Sequence, residues 1–229
     1  MKKTVSYLWM NDAGPRLSAA LQRLEASIGK YQLDALRFPC GRPLVPIGDL
    51  LTQARARTTG SAFVWCNSDV ELTRDPFDVP DARRVYGFFR REVPSGEITF
   101  GVDMLYIPMR VWDEVLSKDI PKLMLGASYV DWWIPRCMQK HGLYEDLRGY
   151  IDHVTHERSA AATSEANLGY QHNFREYNRW ASRNGLDPIP APRFLLPGIG
   201  HFWGLRDLAR KLLSKRVIRA DGFKQSLRR

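Results

Sequence analysis

The hydrophobic positions of the chain switch repeatedly between a period of two and a period of three to four. Residues 4–10 alternate and are rich in strand formers, and the polar loop NDAGPR separates them from a helical pattern that begins at about Pro15. Further strands are predicted at 32–38, 62–66, 83–92, 98–108 and 149–154, and further helices near 47–54, 109–117, 131–141 and 165–184. Strands that alternate with amphipathic helices are typical of an α/β fold.

The chain of 229 residues is short enough for one main domain with an appendage. We expect the domain to span residues 1–186. Four prolines between 188 and 197 indicate a semi-rigid connector, assigned to 187–202. A basic amphipathic helix is predicted from 203 to 229.

Positive charge is concentrated in this C-terminal stretch. Residues 206–229 hold nine Lys or Arg against two Asp, so most of the net charge of +9 lies there. A helix of this kind is expected to lie on an anionic membrane surface, where it would bring the domain to a lipid-linked acceptor. It could equally pack its leucines on its own domain, and RNA binding is a weaker alternative.

The three cysteines do not indicate disulfides or zinc. Cys40, Cys66 and Cys137 are far apart and form no CxxC pair, which fits a reducing compartment, so we expect a cytoplasmic protein. No run approaches about 18 consecutive apolar residues, so a transmembrane helix is not expected. The short apolar run at the N-terminus is interpreted as a first strand and not as a signal peptide.

Polar residues directly follow the apolar run FVWC at 63–66. Asn67, Ser68 and Asp69 could simply form a turn, since all three residue types favour turns. Alternatively, Asp69 lies at the carboxyl end of a parallel strand, where open α/β sheets bind ligands. The usual phosphate-binding and nucleophile-elbow motifs, GxGxxG, GxxxxGK[ST] and GxSxG, do not occur.

The order of five motifs resembles small bacterial glycosyltransferases of the GT-A type, family 2-like, in which a strand ends in an acidic DxD-like turn. The motifs are RPLVPIGDLLTQA, FVWCNSDVELT, GVDMLYIPMRVW, GASYVDWWI and HVTHERSAA, within residues 43–160. The resemblance implies a mixed, mostly parallel sheet flanked by helices. It also implies transfer of a sugar from a nucleotide-sugar donor, with UDP or GDP as the nucleotide, to a glycan or lipid-linked acceptor in cell-surface polysaccharide synthesis.

The resemblance also suggests a role for individual residues. Asn67 and Asp69, with Asn11 and Asp12 in the first loop, would bind the donor. Asp69 and His156 would hold a divalent metal, Mn²⁺ or Mg²⁺, which would neutralise the departing diphosphate. Asp131 would be the base of an inverting reaction, and Asp103 and Trp132 would bind the acceptor. Asn67 replaces the first acid of the usual motif, which weakens the expectation of metal binding.

Structural interpretations remain open for several of these residues. Asp131 could only cap a helix, and Asp103 could only make a buried hydrogen bond. His153 is expected to be a hydrogen-bonded core residue, and it can share a site with His156 only if the strand ends between them. The whole chain could also be a non-catalytic relative that binds a sugar nucleotide or a partner, or a membrane- or nucleic-acid-binding module that acts through its tail.

Overall fold

A computed structural model describes residues 2–9, 15–39, 45–125, 130–154 and 164–189. The predicted tail at 203–229 and most of the predicted connector lie outside these residues, so the proposed division into domains stays a prediction. The strands are β1 (Thr4–Trp9), β2 (Asp34–Pro39), β3 (Val45–Pro46), β4 (Ala62–Cys66), β5 (Val70–Leu72), β6 (Val85–Val93), β7 (Ile98–Pro108), β8 (Met124–Leu125) and β9 (Tyr144–Val154). The helices are α1 (Pro15–Lys30), α2 (Ile47–Arg57), α3 (Met109–Glu114), α4 (Val130–Lys140) and α5 (Ser164–Arg183), with a short 3₁₀ helix at Leu116–Lys118.

Seven of these strands form one sheet in the order β2-β1-β4-β7-β6-β9-β5. The pairs β1–β2, β1–β4 and β6–β9 are parallel, whereas β7 and β5 run against their neighbours. The strands β4, β6 and β9 therefore run in the same direction. Their carboxyl ends lie along the same side of the sheet, which we call its carboxyl edge. β3 and β8 form a separate two-stranded antiparallel ribbon.

Both faces of the sheet are covered, and the sequence of β4 shows why. All five residues of this strand are buried, as expected for a central strand with helices on both sides. Phe63 and Trp65 pack into the core that includes residues of α2, α4 and α5, while Val64 and Cys66 pack into the core on the side of α1. Successive side chains of a strand point to opposite faces, so this one short run supplies both cores.

The structure corrects two sequence expectations near the carboxyl edge. β9 begins at Tyr144 instead of residue 149, and Gly149, at φ +75°, lies in its middle instead of at its start. The three-residue strand β5 was not predicted, because so short a run after the NSD turn has no detectable period. Among the helices of the described residues, none has both the length and the apolar character needed to cross a bilayer.

Candidate active site at the carboxyl edge of the sheet

Acidic and basic side chains from three strands and a turn meet at the carboxyl edge of the sheet. Asp69 lies in the turn between β4 and β5, and its neighbour Val70 pairs with His153 of β9. His153 in turn pairs with Glu92 of β6. Asp103 of β7 lies beside the residue that follows β4, because the backbone N–H of Asn67 donates to its carbonyl oxygen over 2.8 Å. The topology of the sheet thus gathers residues that are up to 86 positions apart, from Asn67 to His153.

His153 lies between two carboxylates. Its Nδ1 is 2.6 Å from Oε2 of Glu92, and its Nε2 is 3.3 Å from Oδ2 of Asp69. The imidazole is buried, with 6% of the side chain exposed, while the Asp69 side chain is 23% exposed. Asp69 is therefore the most exposed member of this group.

Arg90 joins this group to the residues beside β4. Its Nε donates to Oε1 of Glu92 over 2.8 Å, and its Nη1 lies 3.1 Å from Oδ2 of Asp103. The other oxygen of Asp103 accepts a hydrogen bond of 2.7 Å from the side-chain amide of Asn67. A continuous chain of contacts therefore runs from Asp69 through His153, Glu92, Arg90 and Asp103 to Asn67, and we call these six residues the edge cluster.

Burial and the neighbouring carboxylates act in opposite directions on His153. Burial lowers the pKa of its imidazole, but the hydrogen bonds to Asp69 and Glu92 outweigh burial, so the net pKa is raised. Burial also opposes the charge of Arg90, yet the carboxylates of Asp103 and Glu92 hold the pKa of its guanidinium above the ordinary value. The acids of the edge cluster thus favour the protonated, positively charged forms of His153 and Arg90.

The edge cluster still carries an excess of negative charge. It contains three carboxylates, on Asp69, Glu92 and Asp103, against one guanidinium and one imidazole. Even with His153 protonated, the cluster is one positive charge short of neutrality. A site of this composition suits a cationic ligand or a cation that accompanies an anionic one.

The described residues meet only part of the requirement for a metal site. Within these residues no group of three or more His, Cys, Asp or Glu side chains is arranged to hold a metal ion. Asp69 and His153 nevertheless supply an oxygen and a nitrogen in contact, and Glu92 holds the second ring nitrogen, as is usual for metal-binding histidines. Two protein ligands suit a cation whose remaining coordination positions are filled by the phosphate oxygens of a substrate.

Several predicted site residues fall outside what the structure describes. Asn11, Asp12 and His156 are not among the described residues. Asp131 is the second residue of α4, but its side chain is not described. The condition for His153 and His156 to share a site, a strand end between them, concerns residues outside the described ranges, because β9 is described up to Val154. The assigned roles of these residues stay predictions.

Trp132 and its neighbour Trp133 differ sharply in exposure. Trp132 is 46% exposed, whereas Trp133 is 1% exposed and packs in the core. Trp133 also lines a cavity of about 30 Å³, whose only polar lining residues among those described are Asn67 and Asp103. Trp132 is thus the more accessible of the two rings, and its role in acceptor binding stays a prediction.

Glu92 and Arg90 were missed by sequence reasoning, although a signal was present. The two residues are two positions apart in a strand whose preceding residues, Val85–Phe89, are all buried. Side chains at this spacing share one face of a strand, so an Arg and a Glu at the carboxyl end of an apolar strand indicate a polar site there. Nothing in the sequence alone showed that β6 lies beside β9.

Comparison with solved structures assigns the fold. TarS from S. aureus, residues 1–349 in complex with UDP-GlcNAc, matches with a TM-score of 0.53 and 10% identity over 83% of this chain and 68% of that one. The Drosophila β-1,4-galactosyltransferase 7, as a mutant in complex with manganese, UDP-Gal and xylobiose, matches with a TM-score of 0.47, 8% identity and coverage of 75% and 82%. A glycosyltransferase involved in glycosylation of the major capsid of PBCV-1 matches with a TM-score of 0.42, 11% identity and coverage of 73% and 98%.

The class defined by these observations is the GT-A-like fold, a mixed and mostly parallel sheet flanked by helices. No family model matches the sequence. A search of curated proteins gives no match either. The fold predicted from the motif order is therefore confirmed, and the activity has to be inferred from the site.

Proposed function

We propose that the protein is a glycosyltransferase that moves a sugar from a nucleotide-sugar donor to a saccharide or lipid-linked glycan acceptor. The observation that carries the proposal is the edge cluster, which on a GT-A-like fold lies directly after β4 at the carboxyl edge of the sheet. Open α/β sheets bind their ligands at this edge. The surplus of acids and the partly exposed Asp69 suit a diphosphate that arrives with a divalent cation.

Asp69 and His153 are the residues that would hold this cation, Mn²⁺ or Mg²⁺, with His156 as a further predicted ligand. A bound cation supplies neutralisation of the charge that develops on the departing diphosphate. Asp69 presents its carboxylate from the turn, and His153 presents Nε2. Asn67 and the predicted Asn11 and Asp12 would contact the nucleoside part of the donor.

The remaining predicted residues complete an inverting displacement. The acceptor hydroxyl oxygen attacks the anomeric carbon while the bond from that carbon to the diphosphate oxygen breaks. Asp131 would take the hydroxyl proton, and Trp132 would stack against an acceptor sugar with its exposed ring. Asp103 is bound to Asn67 and Arg90, so its contribution to acceptor binding would require one of these contacts to rearrange.

Ligand-dependent stabilisation tests donor binding. UDP or GDP together with Mn²⁺ should raise the melting temperature, since a ligand at 100 times its Kd adds roughly 2.7 kcal/mol of stability. Asp69→Asn should remove the shift. The matched control is Asp152→Asn, because Asp152 belongs to the neighbouring pair of residues, outside the edge cluster. This variant should keep the shift in melting temperature.

Release of nucleoside diphosphate from a panel of nucleotide sugars, with glycan acceptors, tests transfer. Asp131→Asn should retain donor binding and lose transfer, because it keeps the shape of the side chain and removes the base. If the unmodified protein binds a donor but transfers sugar with none of the donors and acceptors, it is a non-catalytic relative. Absence of both binding and transfer would overturn the proposal.

A further inference from the structure

We propose that Glu92 is a positioning residue that fixes which nitrogen of His153 faces Asp69 and the donor. The inference rests on the proposed function only for its consequence in cation binding. The geometric part concerns three side chains in contact, Arg90, Glu92 and His153, and it stands independently of the reaction.

Oε1 of Glu92 has two close polar neighbours. Arg90 Nε lies 2.8 Å from this oxygen, and Thr99 Oγ1 lies 3.1 Å from it. A guanidinium nitrogen can only donate a hydrogen bond. Oε1 must therefore be an acceptor in any arrangement that keeps Arg90 in place, and Asp103 on the other side of the guanidinium keeps it there.

The other carboxylate oxygen, Oε2, lies 2.6 Å from Nδ1 of His153. An ionised carboxylate accepts at both oxygens, so Nδ1 has to carry the proton that is shared with Oε2. In a neutral imidazole the other nitrogen, Nε2, then carries a lone pair. In the protonated ring Nε2 donates to Asp69, 3.3 Å away, and loss of that proton leaves the Nε2 lone pair facing the place where the donor cation is proposed to bind.

Position 92 requires a carboxylate, and an amide there would not hold the same tautomer. In Glu92→Gln the side chain has one acceptor and one donor end. Because Arg90 demands the acceptor, the amide NH₂ faces Nδ1, which then has to accept. The ring proton moves to Nε2, and the lone pair is lost from the side that faces Asp69.

The experiment compares the full-length protein with Glu92→Gln and with Asp152→Asn. Asp152 is a matched control because the pair Arg91–Asp152 is adjacent to the pair Glu92–His153 on the same two strands. Both carboxylate oxygens of Asp152 accept hydrogen bonds from Arg91. The first readout is the ¹⁵N NMR spectrum of the histidine side chains at a pH where the ring is neutral, with the signal of His153 assigned by its loss in His153→Asn. The second readout is the affinity for Mn²⁺ in the presence of UDP, measured by electron paramagnetic resonance.

We expect the protonated Nδ1 tautomer of His153 in the unmodified protein and in Asp152→Asn, and the Nε2 tautomer in Glu92→Gln. Mn²⁺ affinity in the presence of UDP should fall roughly 10- to 100-fold in Glu92→Gln and stay unchanged in Asp152→Asn. If Glu92 had only a structural role, Glu92→Gln would lower the stability of the protein without changing the tautomer of His153. The same tautomer and the same Mn²⁺ affinity in Glu92→Gln would overturn the proposal.

Two further outcomes are separated by the design. If the unmodified protein binds no Mn²⁺ with UDP, the proposed donor site fails, while the tautomer reversal in Glu92→Gln still supports the positioning role. If Glu92→Gln does not fold, the unmodified protein decides alone, because a neutral His153 protonated at Nε2 contradicts the inference and one protonated at Nδ1 supports it.

Discussion

Two adjacent pairs of residues on β6 and β9 show how differently the same two strands can use charge. Arg91 and Asp152 form one pair, joined by two hydrogen bonds of 2.8 and 2.7 Å, and half of the Arg91 side chain is exposed. Glu92 and His153 form the next pair, and both side chains are almost completely buried. The first pair has one cation for one anion, whereas the second belongs to the edge cluster with its surplus of acids.

The comparison separates a structural ion pair from a binding site. Arg91 is half exposed, so this pair reaches solvent through its arginine, and exposed pairs contribute little. The edge cluster keeps three carboxylates close together in a largely buried place, which costs folding free energy unless positive charge compensates them. Arg90 and His153 supply positive charge there, and the proposed cation would add to it.

Removal of Arg90 should have the largest effect on stability. The side chain is 13% exposed and contacts both Glu92 and Asp103, so Arg90→Met leaves two buried acids without their cation. We expect a loss of about 3 to 5 kcal/mol in the free energy of unfolding, the range for a buried pair that loses one partner. Urea denaturation measures it, and a loss under 1 kcal/mol would mean that the cluster is far more hydrated than its burial indicates.

Gly149→Ala should have an intermediate effect, through the register of β9. Phe89 pairs with Arg148, but the next residue, Arg90, pairs with Ile151, so β9 has two extra residues in this interval. Without them, continuation of the earlier register would place Ile151 opposite Glu92 instead of His153. The irregularity therefore creates the pair that the site needs.

The glycine conformation makes this prediction quantitative. Gly149 has φ +75°, and an added Cβ would meet no atom within 4 Å, so the cost of alanine is backbone strain alone, about 1 to 2 kcal/mol. Thermal unfolding measures it. Unchanged stability would show that the strand adopts another register without penalty.

Arg91→Met should have the smallest effect and is the counterpart of Arg90→Met one position away. The residue is half exposed, and its loss should open Asp152, which is 16% exposed within the pair, to water. We expect little change in the unfolding free energy and none in the binding of UDP with Mn²⁺. A large effect of this variant on binding would remove the distinction between the two pairs.

The architecture was readable from the sequence because strong local patterns define it. The period of the apolar residues located β1, β4, β6 and β7 within a few positions, and Pro15 correctly predicted the start of α1. The sequence predicted β9 only from residue 149, whereas the structure places Gly149 within an irregular strand that begins at Tyr144. Such irregularities depend on the neighbouring strand, which a local pattern does not contain.

The candidate site was predictable only in part, for a similar reason. Asp69 was singled out because polar residues follow a buried strand, and this is a local signal. The partners of Asp69 come from β6 and β9, and the order in which strands lie in a sheet is not encoded in their spacing along the chain. His153 was accordingly interpreted as a core residue. It is buried and hydrogen-bonded as expected, but both of its nitrogens face acids.

The central claim, that a divalent cation and a nucleoside diphosphate bind together at the carboxyl edge of the sheet, is tested most directly by paramagnetic broadening. Mn²⁺ added with UDP to the ¹⁵N-labelled protein should broaden the backbone signals of Val70 and His153 first and leave Ala62, at the opposite end of β4, sharp. Equal broadening of Ala62, or no UDP-dependent broadening of Val70 and His153, would contradict the claim.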